Sequence, residues 1–555
     1  MDNFLWWRDG VIYQIYPRSF ADNNNDGIGD LNGIIAKLDY LVDLGVDAIW
    51  LSPFYPTPDK DFGYDISNYV DVDPRFGTLA DFDRLVAEAH RRGIRLVLDM
   101  VLNHTSDQHP WFQESKSSRD NPKADWYLWR PPSTLRPISG SNGRSRRRVN
   151  NWQSVFGGRA WNWVPERGQF YYHMFLAEQP DLNWRNPQVR QSVFDIFRFW
   201  LERGVDGFRL DVFNAYFKDA QFRDNPLQPG LRPFDAQRHI YDCDRPEMMP
   251  LLQELRGLLD SYTERYAVGE TFIATPEKAA SYCGPGKLHA AFNFQFTGQS
   301  FNPAKLLQAI QRWETATGNK VWPNYVLGNH DVVRPATRYT PGYLNLGDIR
   351  FGPFASAQQK EDDARAKLMM TLLLTLRGTP FLYYGDEIGM RELDLTRTEI
   401  MDPVGKRYWP IVKGRDGCRT PMQWNDSANA GFSSAKPWLR VHPDFRTRNV
   451  AAQQSDPDSL LHLTRGLIRL RKQRPALVRG DFIPVTPQPR GGLVYQRKLS
   501  GQPTILVALN FSGRALAVET PGRWTPLVGP KQAEVCERIE LPAYGFCVLE
   551  EFANH

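Results

Sequence analysis

Three acidic residues each close a short apolar run: Asp211 in GFRLD, Glu270 in YAVGE and Asp331 in VLGNHD. An apolar run of strand length with a charge only at its exit is the pattern of a parallel barrel strand whose core half is buried and whose upper end faces a site. Three carboxylates converging on one mouth repel one another. A stable fold keeps them only where a proton, a cation or a substrate's developing positive charge is expected, which describes a catalyst.

A second set of oxygen-bearing residues lies in the loop D-N-N-N-D-G-I-G-D. Asp22, Asn24, Asp26 and Asp30 stand at positions 1, 3, 5 and 9, with the Ile28 carbonyl at 7. That spacing suits a hard cation such as Ca2+ or Mg2+. Position 12 is Gly33 rather than the bidentate Glu of an EF-hand, so the loop is not one. It carries none of the three acids above, and any metal role is structural.

The elements that must position these residues repeat along the chain. Apolar runs (GVIYQIYP, VDAIWLSPF, IRLVLDMVLNH, VDGFRLDV, RYAVGETF, AAFNFQF, NYVLGNHD and PFLYYGDEIG) alternate with amphipathic helical patterns. Ile34, Leu38 and Leu41 recur at helical spacing, as do Val189, Val193, Ile196 and Trp200, and Gly45, Gly93 and Gly204 fall where helices end. Eight strands alternating with helices predict an α/β fold, a (β/α)8 TIM barrel. Residues 105–181 are too long for a βα loop and are rich in Trp, Pro, Arg and Asn, which predicts a small inserted domain overhanging the barrel mouth after strand 3. After Arg474-Pro475 the text changes to VYQRKL, TILVALNF and GFCVLEEF between Gly and Pro, a C-terminal antiparallel β-domain of sandwich type. The division is barrel 1–104, insertion 105–181, barrel 182–478 and β-domain 479–555.

Composition excludes several classes. The net charge of +5 is a small difference between 68 basic and 63 acidic residues and gives no reason to expect nucleic acid. The cluster Arg144, Arg146, Arg147 and Arg148, among Gly and Ser, reads as a solvated loop. Five cysteines without a C-x-x-C pair argue against a disulfide framework and a zinc site, and point to a reducing, cytoplasmic setting. The opening MDNFLWWRDGVIYQIYP lacks the basic and apolar regions of a signal peptide. The longest apolar stretch, LMMTLLLTL, is nine residues against the roughly 20 that span a bilayer, so no membrane partner is expected.

Taken in order, DMVLNH (Asp99 to His104), GFRLDV (Gly207 to Val212), VGET (Val268 to Thr271) and GNHD (Gly328 to Asp331) resemble the four signature stretches of the α-amylase family of glycoside hydrolases. QPDLN (Gln179 to Asn183) resembles the further motif of its oligo-1,6-glucosidase and neopullulanase side. WWRDGVIYQIYPRSF, FGYDI and GRDGCRTPMQW resemble the bacterial α-glucosidase subfamily, over about residue 6 to the C-terminus. The resemblance implies a retaining double displacement with Asp211 as nucleophile, Glu270 as acid and then base, and Asp331 as the carboxylate that distorts and holds the sugar. Retention needs the first two about 5–5.5 Å apart, which adjacent barrel strands can deliver. Arg209, on the same strand face as Asp211, can hydrogen-bond that carboxylate and favour its ionised form, while Glu270 beside two anions is expected to be pushed upward.

The resemblance also implies that His104 and His330 bind the glucose in subsite −1, with Tyr64, Asp65 and Asp99 beside them and Arg415 on the same sugar. The loop from Asp22 to Asp30 resembles the subfamily's metal loop. No organic cofactor is implied. Val212, next to the nucleophile, is valine in the α-1,6-cleaving members and threonine or alanine in the α-1,4-cleaving ones, so small isomaltose-type oligosaccharides are the expected substrates. Against this, NAYFKDAQFRDNP from Asn214 resembles the loop of members acting on short α-1,4 substrates and transfer acceptors. Rival readings are an α-1,4-glucosidase with transglucosylation, a sucrose or trehalose isomerase, and a non-catalytic transporter heavy chain. The last carries a membrane helix and has usually lost catalytic acids, whereas this chain keeps all three.

Overall fold

The computed structural model describes residues 4–132, 137–138, 146–147, 149–340, 344–346, 349–351, 359–529 and 535–552. Eight strands form one parallel, nearly closed barrel: β1 (Ile12–Ile15), β2 (Ala48–Leu51), β3 (Arg95–Met100), β4 (Gly207–Leu210), β5 (Tyr266–Gly269), β6 (Ala290–Ala291), β7 (Asn324–Val326) and β8 (Thr379–Tyr383). Their order in the sheet is β6-β5-β4-β3-β2-β1-β8-β7. Each strand is a near-continuous apolar run because both of its faces are covered. The helix Pro187–Glu202 turns Val189, Val193, Ile196 and Trp200 inward, as its period requires, and Asn186 caps its start.

Three predicted elements come out differently. AAFNFQF contributes only two strand residues, because the Asn293 side chain accepts the Phe296 amide and starts the short helix Phe294–Thr297. The run before Asp331 ends at Val326, so Asp331 stands on the loop beyond β7, where its amide is held by Asn329 Oδ1 at 2.8 Å. Ile34 and Leu38 also fall in two short helices, Leu31–Ala36 and Leu38–Leu44.

The chain divides into two compact units, Met1–Trp50 with Ala87–Leu96 and Phe292–His555, and Leu51–Val86 with Val97–Ala291. In the second, the segment after β3 contains the helix Pro110–Ser117 and a three-stranded antiparallel sheet of Trp129–Arg130, Gln169–Tyr172 and Trp161–Val164. Trp152, Trp161 and Tyr172 pack there with Ala215, Phe222 and Cys243 of the segment after β4. An isolated bridge pairs His104 with Asp181 at the two ends of this excursion. Of the arginine cluster, Arg144 and Arg148 lie outside the described residues, and Arg146–Arg147 pairs with Pro137–Ile138.

In the first unit, a six-stranded antiparallel sheet runs Asp481–Pro484, Gly492–Lys498, Ile505–Asn510, Phe546–Glu551, Leu516–Val528, Val535–Leu541. The fifth of these contains Pro and Gly and is irregular between Thr520 and Arg523, which hides it from an alternation count. Cys243, Cys283, Cys418 and Cys547 are buried free thiols. Among the described residues no helix is long and apolar enough to cross a membrane.

Candidate active site

Register brings the first group together. Asp99 on β3 stands opposite Arg209 on β4, and Arg209 opposite Val268 on β5. Two residues on, Asp211 donates its amide to Met100 O at 3.0 Å and Glu270 donates to Leu210 O at 2.9 Å, so both acids continue the ladder one residue past their strands. Neighbouring strands lie about 4.8 Å apart, which sets the scale of the gap between the two carboxyl groups.

Arg209 ties this group into one network. Its Nη1 donates to Asp99 Oδ1 at 2.7 Å and Asp211 Oδ1 at 2.6 Å, and its Nη2 donates to Glu270 Oε2. The expected partner was Asp211; Asp99 and Glu270 are additional, because strand register places them within the reach of one planar fork. Arg209 and Asp99 are fully buried, while the Asp211 and Glu270 side chains keep about a tenth of their surface exposed (9% and 11%). Burial pushes the Asp99 carboxyl up, against the pull of Arg209, and the nearby Asp211 charge adds to the rise. The same three carboxylates hold the Arg209 guanidinium above its usual range, against the effect of burial. Tyr64 donates from Oη to Asp99 Oδ2 at 3.0 Å.

Other predicted residues of this unit are turned to the protein. His104 has Nε2 at 3.0 Å from Tyr64 O and 3.1 Å from Gln179 Nε2, and Nδ1 at 3.2 Å from Asn103 Nδ2. Asp65 accepts the Asp61 and Lys60 amides, each at 2.9 Å, and burial pushes its carboxyl up to about 7. It therefore shapes the turn that carries Tyr64. Val212 lies in the left-handed region at φ 34°, a strained conformation for a β-branched residue.

A buried ion pair escaped the sequence reading. Lys218 Nζ lies 2.6 Å from Asp181 Oδ2 and donates to Asn103 Oδ1 at 2.7 Å, linking the segment after β4, the QPDLN motif and the end of β3. Both residues sit in quoted motifs, but nothing in their spacing shows that they meet.

The second group belongs to the other unit. His330 has Nδ1 at 2.8 Å from Gln14 Nε2 of β1 and Nε2 at 3.2 Å from Asp331 Oδ2. Two arginines reach Asp331 Oδ1: Arg419 Nη2 at 3.0 Å and Arg415 Nη1 at 3.4 Å. Arg419 is fully buried, donates from Nε to His330 O at 2.8 Å and was missed, although it stands in the quoted GRDGCRTPMQW. Arg415 is oriented by buried Asp402, whose Oδ2 accepts its amide at 2.6 Å and whose Oδ1 accepts from Nη2 at 3.0 Å. Burial alone would raise Asp402, but Arg415 holds it below the usual carboxylate range. Asp331 keeps a third of its side chain exposed (33%).

The loop after β1 is folded by its own side chains. Asp22 accepts the Asn25 and Gly27 amides at 2.7 and 2.8 Å, Asn24 that of Asp26 at 2.9 Å and Asp26 that of Ile28 at 2.8 Å. Asp30 accepts Asn23 N at 2.8 Å through Oδ2 and Gly33 N at 2.7 Å through Oδ1. Among the described residues no three His, Cys, Asp or Glu side chains gather as a metal cluster. Asp30 Oδ2 also accepts Asn24 N at 3.2 Å and so has both lone pairs engaged, but the carboxylate oxygens of Asp22 and Asp26 each accept one bond and keep a second lone pair, so the all-oxygen donor set still suits a hard cation. Burial raises Asp30, with the Asp22 charge adding to it, as expected where two acids share a loop.

The alpha amylase catalytic-domain family model matches residues 14–480. A probable alpha-glucosidase of Rhizobium meliloti (strain 1021) is 44% identical over 560 residues, covering 97% of this chain and 96% of its own. An oligo-1,6-glucosidase of Parageobacillus thermoglucosidasius is 39% identical over 548 residues, covering 93% and 92%. The crystal structure of an alpha-glucosyl transfer enzyme, XgtA, superposes with a TM-score of 0.90 at 42% identity, over 99% of this chain and 100% of that one. Fold, motif order and relatives agree: the chain belongs to the alpha-amylase family and is a glycoside hydrolase of the α-glucosidase kind.

Proposed function

We propose that the chain is a retaining, exo-acting α-glucosidase that releases terminal non-reducing glucose from short oligosaccharides, with α-1,6 linkages preferred. The observation that supports retention is the single guanidinium of Arg209 shared by Asp211 and Glu270 at the ends of neighbouring strands. A pair held by one guanidinium at the ends of neighbouring strands fits the about 5–5.5 Å of a double displacement better than the about 6.5–9.5 Å of an inverting site. In the first step Asp211 bonds to the anomeric carbon while the glycosidic bond breaks and Glu270 gives its proton to the departing oxygen. Arg209 takes Glu270 Oε2, so that proton rides on Oε1. In the second step Glu270 takes a proton from water, the water oxygen bonds to the anomeric carbon and Asp211 is released. Asp331, His330 and Arg415 hold the glucose.

Linkage preference rests on Val212. The two linkages carry the aglycone away at different angles, and a branched apolar side chain packs against one path while narrowing the other, a discrimination of about 1–3 kcal/mol. Wild type should show a higher kcat/KM on isomaltose than on maltose, and Val212→Thr should move that ratio toward maltose at least several-fold. Threonine keeps the β-branch and so leaves the strained backbone alike in both proteins. A wild type that prefers maltose, or a ratio unmoved by the substitution, contradicts the assignment. The likeness to a glucosyl transfer enzyme favours a second reading in which an acceptor hydroxyl replaces water in the second step.

In the same proposal, Asp22, Asn24, Asp26, Asp30 and the Ile28 carbonyl hold a structural Ca2+ or Mg2+, and the protein works in the cytoplasm, as its buried free thiols suggest. A bound ion stabilises the folded state by mass action. Chelation should therefore lower Tm more than it lowers activity assayed at once in the cold, and Asp26→Ala should copy it. Unchanged melting after exhaustive EDTA dialysis, with no metal by elemental analysis, would reduce the loop to a set of turns.

A further inference from the structure

Between the two strands that end in Asp211 and Glu270 the structure contains a clamp outside the reacting groups. Asn214, three residues beyond Asp211, is fully buried in the short helical turn Phe213–Ala215. Its carboxamide faces the backbone of Phe272, two residues beyond Glu270. Oδ1 accepts Phe272 N at 2.7 Å and Nδ2 donates to Phe272 O at 2.9 Å, the pair of bonds a neighbouring strand would make. The orientation of the amide is fixed from a third side: Asp244 Oδ1 accepts from Asn214 Nδ2 at 3.0 Å and from Tyr282 Oη at 2.7 Å. Asp244 in turn donates its own amide to Asn214 O at 2.7 Å.

A second contact spans the same gap. The Phe213 ring lies so close to Gly269, the residue before Glu270, that a Cβ at Gly269 would collide with it. Only glycine permits that approach. Tyr282 closes the far side edge-on to Phe213, with ring centroids 5.0 Å apart. The ladder between these two strands ends with the bond from Glu270 N to Leu210 O, so none of it is left to hold the chain that follows the two acids. These two contacts take over that task, one on each side of Glu270.

We propose that Asn214 is a positioning residue that sets the spacing of the acid/base Glu270 from the nucleophile Asp211, acting through Phe272 and never touching the sugar. This rests on the roles assigned to those two carboxylates above. Proton delivery is the step most sensitive to small displacements, since hydrogen-bond reach ends within a few tenths of an ångström. Loosening the clamp should hurt substrates whose leaving group needs a proton and spare those whose leaving group departs unaided.

The test is kcat/KM, which reports the first step, on maltose or isomaltose and on 2,4-dinitrophenyl α-glucoside, for wild type, Asn214→Ala, Asn214→Asp and Glu270→Gln. Asn214→Ala is expected to lose at least tenfold more on the disaccharide than on the aryl glucoside. Asn214→Asp, of the same shape but with a carboxylate facing Phe272 O and Asp244, should lose more on the disaccharide than alanine does. A role confined to stability would lower Tm and both rates in proportion, and that result, or no loss at all, overturns the proposal. If Asn214→Ala does not fold, Asp244→Asn must show the same leaving-group signature in weaker form; equal losses on the two substrates there overturn it too. Glu270→Gln separates the two claims: should it show no leaving-group dependence, the acid/base assignment fails, whatever Asn214 does.

Discussion

Replacing Asp211 with asparagine or Glu270 with glutamine is expected to leave the barrel folded, with circular dichroism and melting close to wild type, and to remove nearly all turnover. Each half of a double displacement needs its own carboxylate, and general acid–base catalysis alone contributes about 10²–10⁴-fold. Both side chains sit at the ends of finished strands and keep some exposure, so an isosteric amide costs the fold little. Stereochemistry distinguishes their roles. Azide added to Asp211→Gly fills the place of the lost carboxylate and should yield the glucosyl azide of inverted configuration; the retained azide would show that another group is the nucleophile.

The largest effect on stability should come from Arg209→Met. Arg209 is the shared counter-ion of Asp99, Asp211 and Glu270, and removing one partner of a buried ionic group leaves uncompensated charge, a loss of about 3–5 kcal/mol. The pH dependence has a definite sign. Asp99 is already raised by burial and by Asp211, and losing Arg209 raises it further. A carboxyl whose folded pKa lies above its unfolded value, about 3.9, contributes stability at low pH that is lost as pH rises through the folded pKa. The melting deficit of Arg209→Met should thus narrow toward pH 5 and widen toward pH 8, read by calorimetry at a series of pH values. A deficit that is constant or widens on acidification contradicts the shared counter-ion.

Asp211 and Glu270 were legible because each stands one residue past an apolar run, where period and charge together mark a strand exit. The same rule placed Asp331 on a strand, and the structure puts it on the loop beyond Val326, since nothing in an apolar count shows where Asn329 turns the chain. Arg209 was readable as a neighbour of Asp211, two residues away on the same face. Its bonds to Asp99 and Glu270 depend on how three strands are registered, which a single sequence does not contain. Arg419 and Asp402 were hidden for a different reason: they come from irregular chain after β8, where no periodicity assigns a side chain to a face. The Lys218–Asp181 pair joins residues far apart in sequence, and the Asn214 clamp runs through the backbone of Phe272, whose own side chain carries no signal for it.

The central claim is that Asp211 forms a covalent bond to glucose on the way to a retained product. Incubation with a slow-reacting fluorinated α-glucosyl fluoride, followed by quenching, peptic digestion and peptide mass spectrometry, tests it directly. The account predicts stoichiometric addition of one fluoroglucosyl unit, confined to the peptide that contains Asp211 and abolished in Asp211→Asn. A label on the peptide of Asp331 or of Glu270, with Asp211→Asn labelled as fast as wild type, would contradict it.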